Sequence, residues 1–171
     1  KFYRDRGMTL RTALGIQKGR IGRDVLWGLL WLVVLNVPFM AVVAGTVFIL
    51  YGSEAPAAFA TIFFDPASAV SLDPVALLVI SLVAVVPFML INAPTEELVF
   101  RGYGLDGIAS HGSALAAIFA TSLLFGAQHI LFAATVPGML VYFIAFTVWG
   151  LCAALIVRRQ GRLFPVVVAH W

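Results

Sequence analysis

Charge is what this sequence has least of. Asp, Glu, Lys and Arg make up 11% of its 171 residues, against about 25% in an ordinary water-soluble domain. The deficit is concentrated, because residues 74–95 contain none of the four and neither do the 51 residues 107–157. Cysteine is as scarce. Cys152 stands alone, which excludes a disulfide framework and a cysteine-type zinc site and leaves it as a small packing residue. There is no His-Glu-x-x-His run, so the common zinc-protease helix is missing. Repeats and low-complexity tracts are also absent. The apolar run Val25–Tyr51 is too long for a signal peptide.

What is present is apolar. Hydrophobic residues are 62% of the chain and the mean hydropathy is +1.03, a composition for a lipid solvent. A helix needs about 20 apolar residues to cross a bilayer. The first such run is Val25–Tyr51, and a second starts near Val75. The uncharged stretch 107–157 divides into two around Thr135-Val136-Pro137-Gly138. A fifth starts at Leu163 and stops at Trp171, too short to cross. The expected fold class is therefore all-α, a polytopic transmembrane helical bundle of about five helices. Residues 1–24 form a basic arm and residues 25–171 the bundle. The chain opens on Lys1 and reads as a fragment cut inside its last helix.

Net charge is +3, and seven of the eleven basic residues precede the first span. Arg158, Arg159 and Arg162 follow the fourth, while residues 52–73 carry Glu54, Asp65 and Asp73 and no base. A cytoplasmic N-terminus satisfies the positive-inside rule, and the arm then faces an anionic leaflet rather than nucleic acid. Trp27, Trp31 and Tyr51 are expected to anchor the first span. Phe59–Phe64 could dip into the interface, and Met8–Ile21 is either a short interfacial helix or a solvated arm.

Against this background Glu96, Glu97 and Arg101 stand out. A charged group at bilayer depth costs several kcal/mol, so retained ones mark function. Either a new helix starts at Thr95, or one long helix runs from about Val75 to Ile108 with kinks at Pro87 and Pro94. In both cases Glu97 and Arg101 are four apart in the favourable order for an ion pair. Glu96 points about 100° away and lacks that partner. The division is then a structural pair, Glu97–Arg101, beside a reactive carboxylate, Glu96.

His129 lies in the third span and His170 in the fifth. At 1.5 Å per residue, Glu96, His129 and His170 sit roughly 18, 24 and 12 Å from the helix ends on one side. Tilts and kinks make these depths comparable and favour the long helix. Three helices can thus share one polar cavity inside the bilayer. The bland readings are a packing histidine and a Glu–Arg lock between helices. His111 reads as a solvated turn residue, and Asp106 and Asn36 as structural.

A carboxylate facing an imidazole can activate water for attack on an amide while a second polar group stabilises the oxyanion. The same groups, Glu96, His129 and His170, could instead hold a divalent metal, zinc foremost, with one position open for water. A different class of reading is a proton-coupled carrier titrating Glu96 and Glu97, although no inverted repeat is visible. A third is a silent scaffold.

The ordered set resembles the CPBP family of intramembrane proteases, which includes type II CAAX prenyl proteases and the abortive-infection group. Glu96, Glu97, Arg101 and Gly102 match its EExxxR motif and following glycine. Phe125 and His129 match FxxxH, and Phe146 and Gly150 match an aromatic-and-glycine motif. His170 opens a last HxxxN/D motif whose end lies beyond Trp171. The resemblance covers roughly residues 75–171, including the turn Gly161–Pro165. It implies a membrane endopeptidase in which Glu96 and His129 activate water, His170 serves the oxyanion or a metal, and Glu97, Arg101 and Phe125 support them. The implied partners are the bilayer and a peptide or protein substrate, in some relatives lipidated. A metalloprotease and a glutamate protease remain equally open, and the location is a cell membrane.

Overall fold

The computed structural model describes residues 2–64 and 71–171; Asp65 lies outside them. Every regular element among these residues is helical. Four helices are long and apolar enough to cross a membrane. Their boundaries follow side-chain chemistry. Helix α1 spans Ile21–Tyr51, four residues longer at its start than the hydropathy of the apolar run suggests. The added turn buries Asp24, which pairs with Arg162 from the distant turn before the last helix. That pair joins residues 138 apart in sequence and has no local sequence signal.

Helix α2, Ala55–Ile62, occupies the segment expected to touch the interface. It packs on α1 and buries Ile62, while Phe63 stacks on Tyr142. Helix α3 then runs unbroken over Pro74–Ala109, so the long-helix reading holds. Asp73 caps it by accepting from the amides of Val75 and Ala76, with Pro74 at the first helical position, where its missing N–H costs nothing.

Helix α4 covers Ala114–His129, capped by Ser113, and α5 covers Val136–Gln160, capped by Thr135. The Thr135 hydroxyl accepts from Gly138 and donates to the Ile62 carbonyl at 2.6 Å. One threonine therefore starts α5 and ties it to α2 at the break expected there. Helix α6, Phe164–His170, is short and buried, wedged against α1.

Lipid-like surroundings give apolar side chains little reason to seek one another, so close backbone approach has to hold such a bundle together. Two glycines show it. A Cβ at Gly28 would strike Val168 and the Pro165 carbonyl, and one at Gly126 would strike Thr147 and the Phe143 carbonyl. These contacts let α6 seat on α1 and α4 on α5. The main core gathers Leu35, Phe125, Trp149, Val166 and Val167, with Trp31 packed against it. Trp31 thus packs partly buried against the core. Its partner Trp27 is 40% exposed and stacks on it at 5.5 Å.

The basic arm is not free of the bundle. Leu14 is buried in the main core, and its carbonyl accepts from the Phe164 amide. Tyr3 reaches α3, where its hydroxyl donates to the Leu98 carbonyl at 2.8 Å.

Candidate active site

The site is built where α3 departs from regular helical winding. Residues Phe88–Asn92 and Leu98–Gly104 are π-helical, with the Ala93 amide donating to Phe88 and the Leu105 amide to Phe100. Pro87, with no N–H to give, immediately precedes the first wide turn. Such turns often mark functional positions. Each inserts a residue into the helical phase, which swings the following side chains around the axis. Above the first turn no side chain is buried; below it Ala93, Glu97, Arg101 and Leu105 are.

Glu97 lies at the centre. Its side chain is fully buried, and its Oε1 accepts from Arg101 Nη1 at 3.2 Å and from His170 Nδ1 at 2.9 Å. The Arg101 guanidinium lies 4.0 Å from the centre of the Phe125 ring and 5.0 Å from that of Trp149. A buried cation thus has a carboxylate at its edge and aromatic faces beside it, which lowers the cost of keeping it there. Gly150 leaves space at this point, since its Cβ position is 3.2 Å from Arg101 Nη2.

Glu96, one residue earlier, turns toward the cavity as helical spacing requires. Asn92 Nδ2 donates to its Oε1 at 3.3 Å, and His170 Nε2 stands 3.6 Å from its Oε2. That second oxygen is buried and has no hydrogen-bond partner among the described residues. His170 therefore bridges both glutamates, one from each ring nitrogen. Its Nδ1 is within hydrogen-bond distance of the Glu97 carboxylate, while its Nε2 stands farther from Glu96.

His129 occupies the opposite wall. Its Nδ1 is 2.7 Å from the Phe125 carbonyl, and a carbonyl only accepts. The ring proton is then on Nδ1, and Nε2 presents a lone pair. The imidazole lies flat on Phe146, with centroids 3.6 Å apart and planes 11° from parallel. Phe125 touches the imidazoles of both His129 and His170.

Glu96, His129 and His170 all line one cavity of about 580 Å³. Most of its wall is aromatic, including Phe39, Phe88, Phe132, Tyr142 and Trp149. The sequence reasoning missed two polar members. Asn92 lies four residues before Glu96, a spacing that could have been noticed. Asn36, read as structural, lines the same cavity from α1 while donating to the Leu32 carbonyl at 3.0 Å. His111 is an exposed turn residue hydrogen-bonded to Ser110 and Gly107, as its setting suggested.

The three candidate metal donors do not form a metal-holding group in this arrangement. Among the described residues no three His, Cys, Asp or Glu side chains do. His129 gives Nδ1 to its own helix and His170 gives Nδ1 to Glu97, which leaves one Nε2 on each ring for another partner.

No curated protein and no solved structure matches the chain. A family pattern does, that of the type II CAAX prenyl endopeptidase Rce1-like proteins, over residues 77–171. The match takes in more than half of the chain and all of Glu96, Glu97, Arg101, His129 and His170. With four apolar helices around a buried Glu/His cluster, this multi-pass membrane protein belongs to the Rce1-like family of type II CAAX prenyl endopeptidases.

Proposed function

We propose that the chain hydrolyses peptide bonds inside the membrane, with Glu96 and His129 holding the attacking water and His170 serving the oxyanion. The observation that carries this is the set of groups facing one cavity: the unpartnered Glu96 Oε2, the His129 lone pair on Nε2, and His170 Nε2 at 3.6 Å from Glu96. A water offers two protons, and this site offers two acceptors for them. Its oxygen lone pair is then left to attack the amide carbon.

The water proton passes to Glu96 as the new C–O bond forms, and the carbonyl oxygen takes the negative charge beside the Nε2 proton of His170. Collapse breaks the C–N bond, and Glu96 returns the proton to the departing amine. Glu97 and Arg101 do not touch the reacting atoms. They fix the position of His170. No step runs through a metal, and the aromatic wall suits a substrate with an apolar or lipid-modified residue next to the scissile bond. The clustering of basic residues at the N-terminal end supports a cytoplasmic side for it under the positive-inside rule.

The test uses the purified protein in proteoliposomes with a library of membrane-anchored peptides. A positioned acid–base group contributes about 10²–10⁴ in rate, so Glu96→Gln and His129→Ala should each lose that much kcat. Cleavage by both variants at the unmodified rate would overturn the assignment. Ion flux that depends on Glu96, with no peptide cut, would favour a carrier. Inhibition by chelators together with a stoichiometric metal in the sample would replace the metal-free scheme.

A further inference from the structure

The water-activating scheme uses Glu96, His129 and His170 and leaves a polar member of the same cavity wall without a task. Asn36 lies on α1, outside the residues 77–171 that match the family pattern, so the family assignment gives it no role. It stands roughly 22 Å along α1 from Ile21, the same rise that separates His129 from Ala114 on α4. We propose that Asn36 binds the backbone of an extended peptide substrate, its carboxamide pairing with the N–H and C=O of one residue near the scissile bond. The proposal rests on the reading of this cavity as a peptide site.

The open hydrogen-bonding groups of Asn36 carry the argument. Its Nδ2 donates to the Leu32 carbonyl at 3.0 Å, and no other hydrogen bond forms to its side chain among the described residues. One N–H and the acceptor Oδ1 are left, on a side chain that is exposed. The bond to Leu32 meets no need of the helix, because in regular winding that carbonyl already accepts from the Asn36 backbone amide. The carbonyl short of a donor is that of Val34, since Pro38 has no N–H to give it. Asn36 does not serve it. A polar side chain in a membrane span is costly, and repair of the proline break, the structural reason for keeping one here, is not what this side chain does.

A peptide in this cavity has the complementary need. Backbone N–H and C=O groups that leave water for apolar surroundings require partners, and a mostly aromatic wall supplies few. Asn92 already serves Glu96 through its Nδ2, whereas Asn36 serves no group of the site. Its carboxamide holds a donor and an acceptor on one planar group, the pattern that a single extended residue presents in reverse. Such a contact reads backbone and not side chains. It cannot form with a helical segment, whose N–H and C=O groups are already paired, so it selects substrate that is unwound where it is cut.

The experiment follows cleavage by the full chain in proteoliposomes of a membrane-anchored peptide and of the same peptide N-methylated at one backbone position at a time, the scissile bond excepted. With the unaltered chain, methylation at one position near the cut should raise KM about tenfold and leave kcat unchanged, as for a bond made equally in the ground and transition states. Asn36→Leu should raise KM for the parent peptide by a similar factor, and methylation at that position should then cost nothing more. Asn36→Ala carries the same expectations, so a folding failure of one variant leaves the other to decide. The proposal falls if no position responds, if both variants keep the original KM, or if the methyl penalty persists in them at every position. It falls equally if the variants lower kcat alone. Binding of labelled peptides to Glu96→Gln, with and without Asn36→Leu, is read in parallel by fluorescence anisotropy. Binding weakened tenfold by Asn36→Leu, with no cleavage by the unaltered chain, would keep the proposal and overturn the proteolytic reading. Cleavage indifferent to Asn36 would do the reverse, and peptides that neither bind nor are cut would overturn both.

Discussion

Helix α3 is two different objects joined end to end. From Pro74 to Pro87 it has no buried residue, and Leu77, Leu82 and Val83 are 53%, 58% and 66% exposed. From Ala93 to Leu105 it carries two glutamates and an arginine, and four of its side chains are buried. In water the first half would be the costly one. In a bilayer the cost is reversed, because lipid accepts leucine and valine but not an unpaired charge. The inner half is stable only through its partners, and those partners are what give it chemistry.

The largest test of this contrast separates the two glutamates. Glu97→Gln leaves Arg101 buried beside a neutral amide and takes the carboxylate from His170. Breaking a buried pair costs about 3–5 kcal/mol, so a large fall in stability is expected together with lost activity. Glu96→Gln removes a carboxylate whose Oε2 has no protein partner; it should lose activity with little change in stability. Equal destabilisation by the two variants, measured by denaturation in mixed micelles, would erase the distinction between brace and base.

The Glu97–Arg101 ion pair was legible in the sequence, and the reason is local. Four-residue spacing on a helix determines who can meet whom, and the Glu97–Arg101 pair follows from it. Counting residues from the helix ends also brought Glu96, His129 and His170 to a common depth. Depth says nothing of rotation about the axis, however. For that reason the contact of His170 with Glu97, closer than its contact with Glu96, could not be read. The two π turns that re-aim α3 have no reliable residue signature. Asp24–Arg162 and Tyr3–Leu98 join segments more than 90 residues apart, where only the folded chain shows the meeting. That Asn36 also lines the cavity could not be read, because one helix in isolation offers no way to tell a cavity from a packed face.

A smaller effect is expected at Tyr3, which ties the arm to the inner half. Its hydroxyl donates to the Leu98 carbonyl at the start of the second π turn, and a Cβ at Gly102 would collide with it. A hydrogen bond of this kind contributes about 1 kcal/mol, and Tyr3→Phe should cost that much. Burial, and then the nearby Asp106, raise the Tyr3 hydroxyl above its ordinary pKa of 10.0, with Arg6 opposing. The folded state thus favours the protonated phenol. Its contribution is complete below pH 10 and is lost as pH rises through the raised value, because the phenolate has no proton to give Leu98. Tyr3→Phe should remove that alkaline loss from the stability profile, and a profile unchanged by the substitution would detach the arm from the site.

The smallest effect belongs to the outer half. Leu82→Ala takes methyl groups from a side chain that is 58% exposed, so little cavity opens and the bundle should change by less than about 0.5 kcal/mol. Its insertion signal also survives, since residues 74–91 remain uncharged and apolar. Leu105→Ala, the same truncation at a site 1% exposed, should cost about 2–5 kcal/mol through the cavity it leaves. The two substitutions change the same number of carbons on one continuous helix and differ only in what surrounds them. If Leu82→Ala proved as costly as Leu105→Ala, the outer half would have a packing partner in the folded assembly. The lipid-facing assignment would then give way to a protein interface along Pro74–Pro87.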